Sequence, residues 1–146
     1  MRIDVLESGD FAAWEPLWQG YLRFYQASVP GSTTALTFER LTGGSEPMGG
    51  FLARDAAGEA FGMVNWIDHR SCWTPGNYCY LQDLFVAPDR RGSGAGAALI
   101  AAVKAAAQAR GCSRVYWLTH ETNADAMILY DRVAERSGFI QYRQGL

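Results

Sequence analysis

The stretch Ala87–Gly111, APDRRGSGAGAALIAAVKAAAQARG, places glycine at positions 92, 94 and 96 and then runs into an alanine-rich segment. A flexible glycine–serine linker keeps its loose composition over many residues, because its role is to avoid fixed structure. This stretch does the reverse. From Ala97 onward the residues are strong helix formers, Leu99, Val103 and Ala106 recur at helical spacing, and Gly111 stands where a left-handed C-terminal cap is expected. On the other side of the glycines, YCYLQDLFV, ending at Val86, is aromatic and β-branched and reads as a strand, and APD supplies a turn. The order is strand, glycine turn, helix.

That order has a physical use. The first backbone N–H groups of a helix lack intrahelical partners and carry the positive end of the macrodipole, so they attract anions. Glycines let the main chain approach a phosphate without a Cβ in the way, and they adopt the positive φ angles that turn successive N–H groups inward. Arg90 and Arg91 add positive charge. Glycine spacing alone also fits an ordinary turn, so the rest of the chain has to decide.

The 146 residues make about one domain with one core. Hydrophobic residues are 49% and charged residues 19%, with a net charge of −2, which is ordinary for a globular protein and leaves no basic face for nucleic acid. No apolar run approaches the roughly 20 residues that span a bilayer, and MRIDVLESGD has no signal-peptide core, so no membrane partner and a cytoplasmic location are expected. Cys72, Cys79 and Cys112 lack metal-ligand spacing; reduced thiols and no metal site are expected.

Along the chain, RIDVLES alternates as a first strand, and Asp10 can cap a helix through FAAWEPLWQGYLRFYQ. Phe11, Trp14, Trp18, Tyr21 and Tyr25 share one face of it, either as a core stripe or as rings that also line a pocket for a cationic or apolar acceptor. A loop at SVPGSTT precedes a short helix through ALTFERLTG. GGFLARD and EAFGMVNWIDH then read as a hairpin, and RSCWTPGN as a loop. After the glycine helix come a strand at RVYWLT, a helix over NADAMILYDRVAERS and a final strand at FIQYR. The sum is one mixed α/β domain over residues 1–146, a mostly antiparallel sheet flanked by helices, with its parallel crossover at the glycine helix. Such sheets place ligands beyond the carboxyl ends of their strands, here where Val86 meets the glycine turn.

At this point the residues resemble the GNAT superfamily of N-acetyltransferases. The family's acetyl-CoA signature corresponds to Arg91-Gly92-Ser93-Gly94-Ala95-Gly96, with a strand ending at Val86 before it. A second element, ETNADAMILYDRVAERSGF, resembles the family pattern through Asn123, Ala126, Leu129, Tyr130, Gly138 and Phe139. YLQDLFV and VYWLTHETN further resemble the subgroup of yeast histone and polyamine acetyltransferases and diamine acetyltransferases. A dinucleotide fold would instead need an acidic residue about 20 positions on, at the end of the next strand. Glu121 lies too far along for that, and no Walker lysine is present.

The resemblance implies an enzyme that acetylates a primary amine of a small molecule or peptide by direct attack in a ternary complex, with acetyl-CoA as cosubstrate. The other reading is an acyl-CoA-binding regulatory module without turnover. It further implies that the backbone of Leu84, Phe85 and Val86 pairs with the pantetheine arm, and that the N–H groups from Gly92 through Ser93, Gly94, Ala95 and Gly96 to Ala97 hold the pyrophosphate. Asn123 contacts the same arm from the opposite side, near Ala126. Tyr130 matches a tyrosine that serves as general acid to the leaving thiolate. Diamine acetyltransferases carry a glutamate where this chain has Gln82, and an amide cannot accept the proton. Asp83 and Glu121 are the candidate bases, with Asp83 expected on the opposite sheet face from Gln82; Asp68, His69 and His120 follow them. A homodimer is expected by the same resemblance and because FIQYR at a sheet edge would offer unpaired backbone groups.

Overall fold

In the computed structural model, which describes residues Met1–Leu146, the apolar stretches bounded by turn residues form five strands: β1 (Arg2–Val5), β2 (Met48–Arg54), β3 (Ala60–His69), β4 (Tyr78–Val86) and β5 (Arg114–Tyr116). They lie in the order β1-β2-β3-β4-β5, the first four antiparallel to their neighbours and β5 parallel to β4. Helices α1 (Phe11–Phe24) and α2 (Gly31–Thr42) follow β1, α3 (Ala95–Ala109) crosses from β4 to β5, and α4 (Ala124–Val133) comes last. A parallel pair cannot be joined by a tight hairpin, which is why the one helix-length connection between adjacent strands of the β3–β5 region falls at the glycine turn.

Two cores cover the two faces of the sheet. On one, Leu99, Ile100, Val103 and Ala107 of α3 pack on Val64, Cys79 and Leu81. On the other, Trp14, Leu17, Trp18 and Leu22 of α1, with Phe38 and Leu41 of α2, pack on Leu52 and Met63. The result is a helix–sheet–helix sandwich, a layer solution in which each amphipathic element buries its apolar side.

The α3 helix begins two residues before Ala97, at Ala95, behind Gly94 in the left-handed region at φ 83°, and Gly111 closes it at φ 79°. The GSTT segment, read as loop, is the first turn of α2: Pro30 is extended and its carbonyl accepts the N–H groups of Thr33 and Thr34 at 2.9 and 3.1 Å, so the helix starts at once. Asp10 precedes α1 but does not cap it. Its carboxylate accepts the Glu7 N–H at 3.0 Å and pairs with Arg54 Nη2 at 2.6 Å instead, tying the first turn to β2.

The C-terminal strand is not formed. Only Arg114–Tyr116 of RVYWLT pair with β4, α4 ends at Val133 with Ala134 extended, and residues 134–146 hold neither helix nor strand. FIQYR therefore has no partner within the chain. Phe139, Ile140 and Tyr142 are 84, 76 and 89% exposed, and a strand-like sequence without ladder or burial has nothing to offset its conformational entropy.

Candidate active site

β4 is paired on both edges only over Tyr78–Tyr80. Beyond Tyr80 the parallel ladder to β5 stops, while β3 stays paired with β4 as far as Val86. The edge of β4 that faces β5 is thus unpaired along Leu84, Phe85 and Val86, and these three line a large cleft of about 1080 Å³. An extended ligand with amide groups can add to such an edge as a strand would. The cleft continues along the glycine turn, and Asn123, Ala126 and Tyr130 also line it.

At the mouth of the turn, the backbone N–H groups of Gly92, Ser93, Gly94, Ala95, Gly96 and Ala97 have no acceptor in the protein; the first helical donor is Ala98, bonding to Gly94 O at 3.0 Å. Gly92 and Gly94 lie at φ 76° and 83°, and a Cβ at either would meet nothing in the protein, so the turn opens onto ligand space. Gly96 serves packing instead: a Cβ there would sit 3.0 Å from Leu129 Cδ2. Arg91 projects beside the turn, its Nε 3.4 Å from Val86 O and its guanidinium 5.6 Å from the Phe24 ring centre. These donors at a helix start fit a pyrophosphate.

Tyr130 packs its ring edge-on against Trp117, with centres 5.4 Å apart, and its hydroxyl has no protein partner. Burial pushes that hydroxyl up to about 12, so it carries its proton at every physiological pH. Asn123 precedes α4; its Nδ2 donates to Thr119 Oγ1 at 3.2 Å, and both side chains face the Tyr25 hydroxyl.

On the other side of β4 a buried polar ladder runs through the α1 core. Trp14 Nε1 donates to Asn65 Oδ1 at 3.2 Å, and Asn65 Nδ2 donates to Asp83 Oδ2 at 3.1 Å. The Tyr21 hydroxyl meets the same carboxylate. Burial pushes the Asp83 carboxyl above the usual carboxylate range, against the two hydrogen bonds, and burial together with the Asp83 charge pushes the Tyr21 phenol well above its own.

The expectation that Asp83 and Gln82 occupy opposite faces is wrong, for a definite reason. The β3–β4 register shifts between Asn65, paired with Asp83, and Trp66, paired with Leu81, so Gln82 is the extra residue of a β-bulge. Leu81 and Leu84 then both face α3 while Asp83 and Phe85 face α1, and Gln82 and Asp83 line the same small cavity.

The structure brings Leu84, Phe85, Val86, the glycine turn, Asn123, Ala126 and Tyr130 around one cleft, while Asp83 lines the smaller cavity. It does not bring in Glu121, which sits exposed in the turn before Asn123 and lines neither cavity. Asp68 is occupied by a bidentate pair with Arg110 at 2.7 and 3.0 Å. His69 is held between Tyr116 Oη at 2.7 Å and the Arg70 carbonyl at 2.8 Å. His120 lines the large cleft with Nδ1 accepting the Thr122 N–H at 3.2 Å. Sequence reasoning missed Asn65 and Thr119. A polar residue inside the apolar run GMVNWI was the available signal for the first; nothing marked the second.

Residues 14–134 match the acetyltransferase (GNAT) family. The chain is 31% identical over 143 residues to the D-amino-acid N-acetyltransferase HPA3 of Saccharomyces cerevisiae, covering 97% of this chain and 89% of the yeast protein. The fold matches the crystal structure of a ribosomal-protein-alanine N-acetyltransferase from Brucella melitensis biovar Abortus 2308 with a TM-score of 0.81 at 23% identity, covering all of both chains. It also matches AAC(6')-Iy in complex with a CoA-based bisubstrate analog with a TM-score of 0.85 at 18% identity, covering 99% of this chain and 97% of that one. The chain belongs to the acetyltransferase (GNAT) family and is an acetyl-CoA-dependent N-acetyltransferase.

Proposed function

We propose that the acceptor is a primary amine of a small molecule or peptide, that it reacts directly in a ternary complex, and that Asp83 and Tyr130 handle the protons. Bound acetyl-CoA supplies the thioester whose acetyl carbon the amine attacks. The unpaired edge at Leu84–Val86 orients the pantetheine arm, the N–H groups of Gly92–Ala97 with Arg91 hold the pyrophosphate, and Asn123 closes the far wall. An ammonium must lose two protons to become an amide, one of which ends on the leaving sulfur and the other in solvent. Asp83 is the group suited to receive the first, because its raised pKa brings a carboxylate closer to the acidity of a working base. The Tyr130 hydroxyl, protonated and without a partner, is suited to deliver one to sulfur.

The observation that carries this reading is the run of unpaired N–H groups from Gly92 to Ala97 at the end of an unpaired strand edge. A module that only binds acyl-CoA would need those features too, but not a buried carboxylate opening into a second cavity beside the cleft. By their names the relatives are N-acetyltransferases of a D-amino acid, of a ribosomal-protein alanine and of an aminoglycoside, all of them amines. A homodimer belongs to the same reading, supported by a tail with four exposed large apolar residues, Phe139, Ile140, Tyr142 and Leu146, and no partner of its own.

The test is acetyl-CoA titration followed by thermal unfolding, then thiol release with a panel of amines. A ligand at 100-fold its Kd stabilises by about 2.7 kcal/mol, a rise of roughly 5–10 °C for a domain of this size. No shift at millimolar acetyl-CoA would overturn the cleft assignment; a shift with no thiol release from any amine would leave the binding module.

A further inference from the structure

Asp83 is 7% exposed, accepts hydrogen bonds from Asn65 and Tyr21, and has no cation within reach. The contrast with the buried Asp68, which holds Arg110 by two bonds, is sharp: this fold neutralises one buried carboxylate internally and leaves the other open. An ionised carboxylate taken out of water is costly unless a cation compensates it. Asp83 also lines a second cavity of about 220 Å³ between α1, α2 and the sheet. Next to it in sequence, Leu84 lines the coenzyme cleft, so adjacent residues of β4 reach the two cavities.

Trp18, Leu41, Met48 and Ile67 form its apolar walls, and Thr37, Asn65 and Gln82 complete the lining as neutral polar groups. Asp83 is the only charged residue among the lining groups. The volume lies below the roughly 300–1,000 Å³ of sites for drug-sized ligands. A second ammonium inside would find only the neutral Thr37, Asn65 and Gln82 and no second carboxylate, so its charge would stay uncompensated.

We propose that this cavity takes the acceptor as a single ammonium on a compact apolar body, with Asp83 as its counter-ion and the Trp18, Leu41, Met48 and Ile67 side chains around its hydrocarbon. Any further charge on the acceptor stays outside the cavity. The inference rests on the acetyl-transfer reading and adds the substrate class: branched or aromatic monoamines, including residues with such side chains presenting a free amine, ahead of diamines, polyamines and aminoglycosides.

The experiment measures kcat/KM for isoamylamine and leucinamide against putrescine, spermidine and an aminoglycoside at saturating acetyl-CoA, with the acetyl-CoA Kd measured separately by calorimetry. The expected result is at least a tenfold preference for the two monoamines. Thr37→Phe, which fills the cavity from a partly exposed position on α2, is expected to raise the monoamine KM at least fivefold while the acetyl-CoA Kd stays within twofold. Equal or better turnover of putrescine, spermidine or the aminoglycoside by the wild-type protein would overturn the proposal without using any variant, and so would an unchanged monoamine KM in a folded Thr37→Phe protein. Absence of acetyl-CoA binding in the calorimeter would instead defeat the acetyl-transfer reading beneath it.

Discussion

Replacing Tyr130 by Phe separates chemistry from packing because of where its hydroxyl sits. The ring stays against Trp117, at 5.4 Å between centres, and the deleted oxygen has no protein partner. No intramolecular hydrogen bond is lost, so the usual cost of about 1 kcal/mol for one does not apply, and the melting temperature is expected to stay within roughly 2 °C. Acetyl-CoA affinity is expected to hold as well, since the backbone edge and the glycine turn are untouched. If the hydroxyl delivers the proton to sulfur, kcat falls by roughly 10²-fold, the lower end of what general acid catalysis contributes, or about 2.7 kcal/mol of transition-state stabilisation. The pH profile is informative too. With its hydroxyl pushed up to about 12, Tyr130 contributes no descending limb between about pH 6 and 10, so any limb there persists in the variant. Steady-state thiol release, with a pre-steady-state run to establish that chemistry limits turnover, reads the effect. Turnover within about threefold of wild type would refute the general-acid role and assign proton delivery to water.

Gly94→Val is expected to abolish the acetyl-CoA thermal shift, because a β-branched residue at φ 83° is strained and its side chain projects into the space the turn opens onto; a full shift would remove the phosphate-cradle assignment. Asp83→Asn is expected to eliminate most turnover yet raise the melting temperature at neutral pH. A carboxyl whose folded pKa is raised contributes its stability at low pH and loses it as pH climbs from the ordinary carboxylate value through the folded one, at about 1.4 kcal/mol for each tenfold difference in proton affinity between the folded and unfolded chain. The wild-type curve of melting temperature against pH therefore falls through that window relative to the variant, and parallel curves would count against the assignment. The dimer predicts a doubled mass by light scattering at micromolar concentration and a monomer on truncation after Ser137; a monomeric full-length chain would dispose of it.

Much of the cleft proposed to hold the coenzyme is legible in the sequence because its determinants are local. Glycines that must take positive φ, orphan N–H groups at a helix start and a tyrosine seven residues past Asn123 all lie within one stretch of chain, so spacing carries the geometry. The cavity proposed for the acceptor is not local. Whether Asp83 faces α1 or α3 depends on a single extra residue at Gln82, and a bulge is set by how β3 and β4 pair over their whole length rather than by the identity of the bulged residue. Strict alternation therefore reverses the face of Asp83. FIQYR fails for a related reason: its β-propensity is real, but propensity measures fit to a pleated, half-buried surface, and the single chain offers no such surface.

The aromatic stripe of α1 shows how core and site become one object. Trp14 stacks on Trp18 at 5.4 Å, Trp18 on Tyr21 at 5.7 Å, and Tyr21 meets Tyr25 at 5.1 Å, so the rings form a continuous row along the helix. Their polar atoms change in step. The two indoles lie in the core and send their N–H groups to Asn65 and Thr34, both at 3.2 Å, while the two phenols lie nearer the cleft and turn their hydroxyls to Asp83 and to Asn123. A buried indole has one donor to satisfy and a phenol has both a donor and an acceptor. The order Trp, Trp, Tyr, Tyr thus passes from groups that can only fill and donate to groups that can also exchange protons. The core stripe and the pocket wall are therefore not competing readings of this helix. Packing of Trp14 fixes Asn65, Asn65 fixes the Asp83 carboxylate, and the same row of rings ends in the wall of the large cleft at Tyr25.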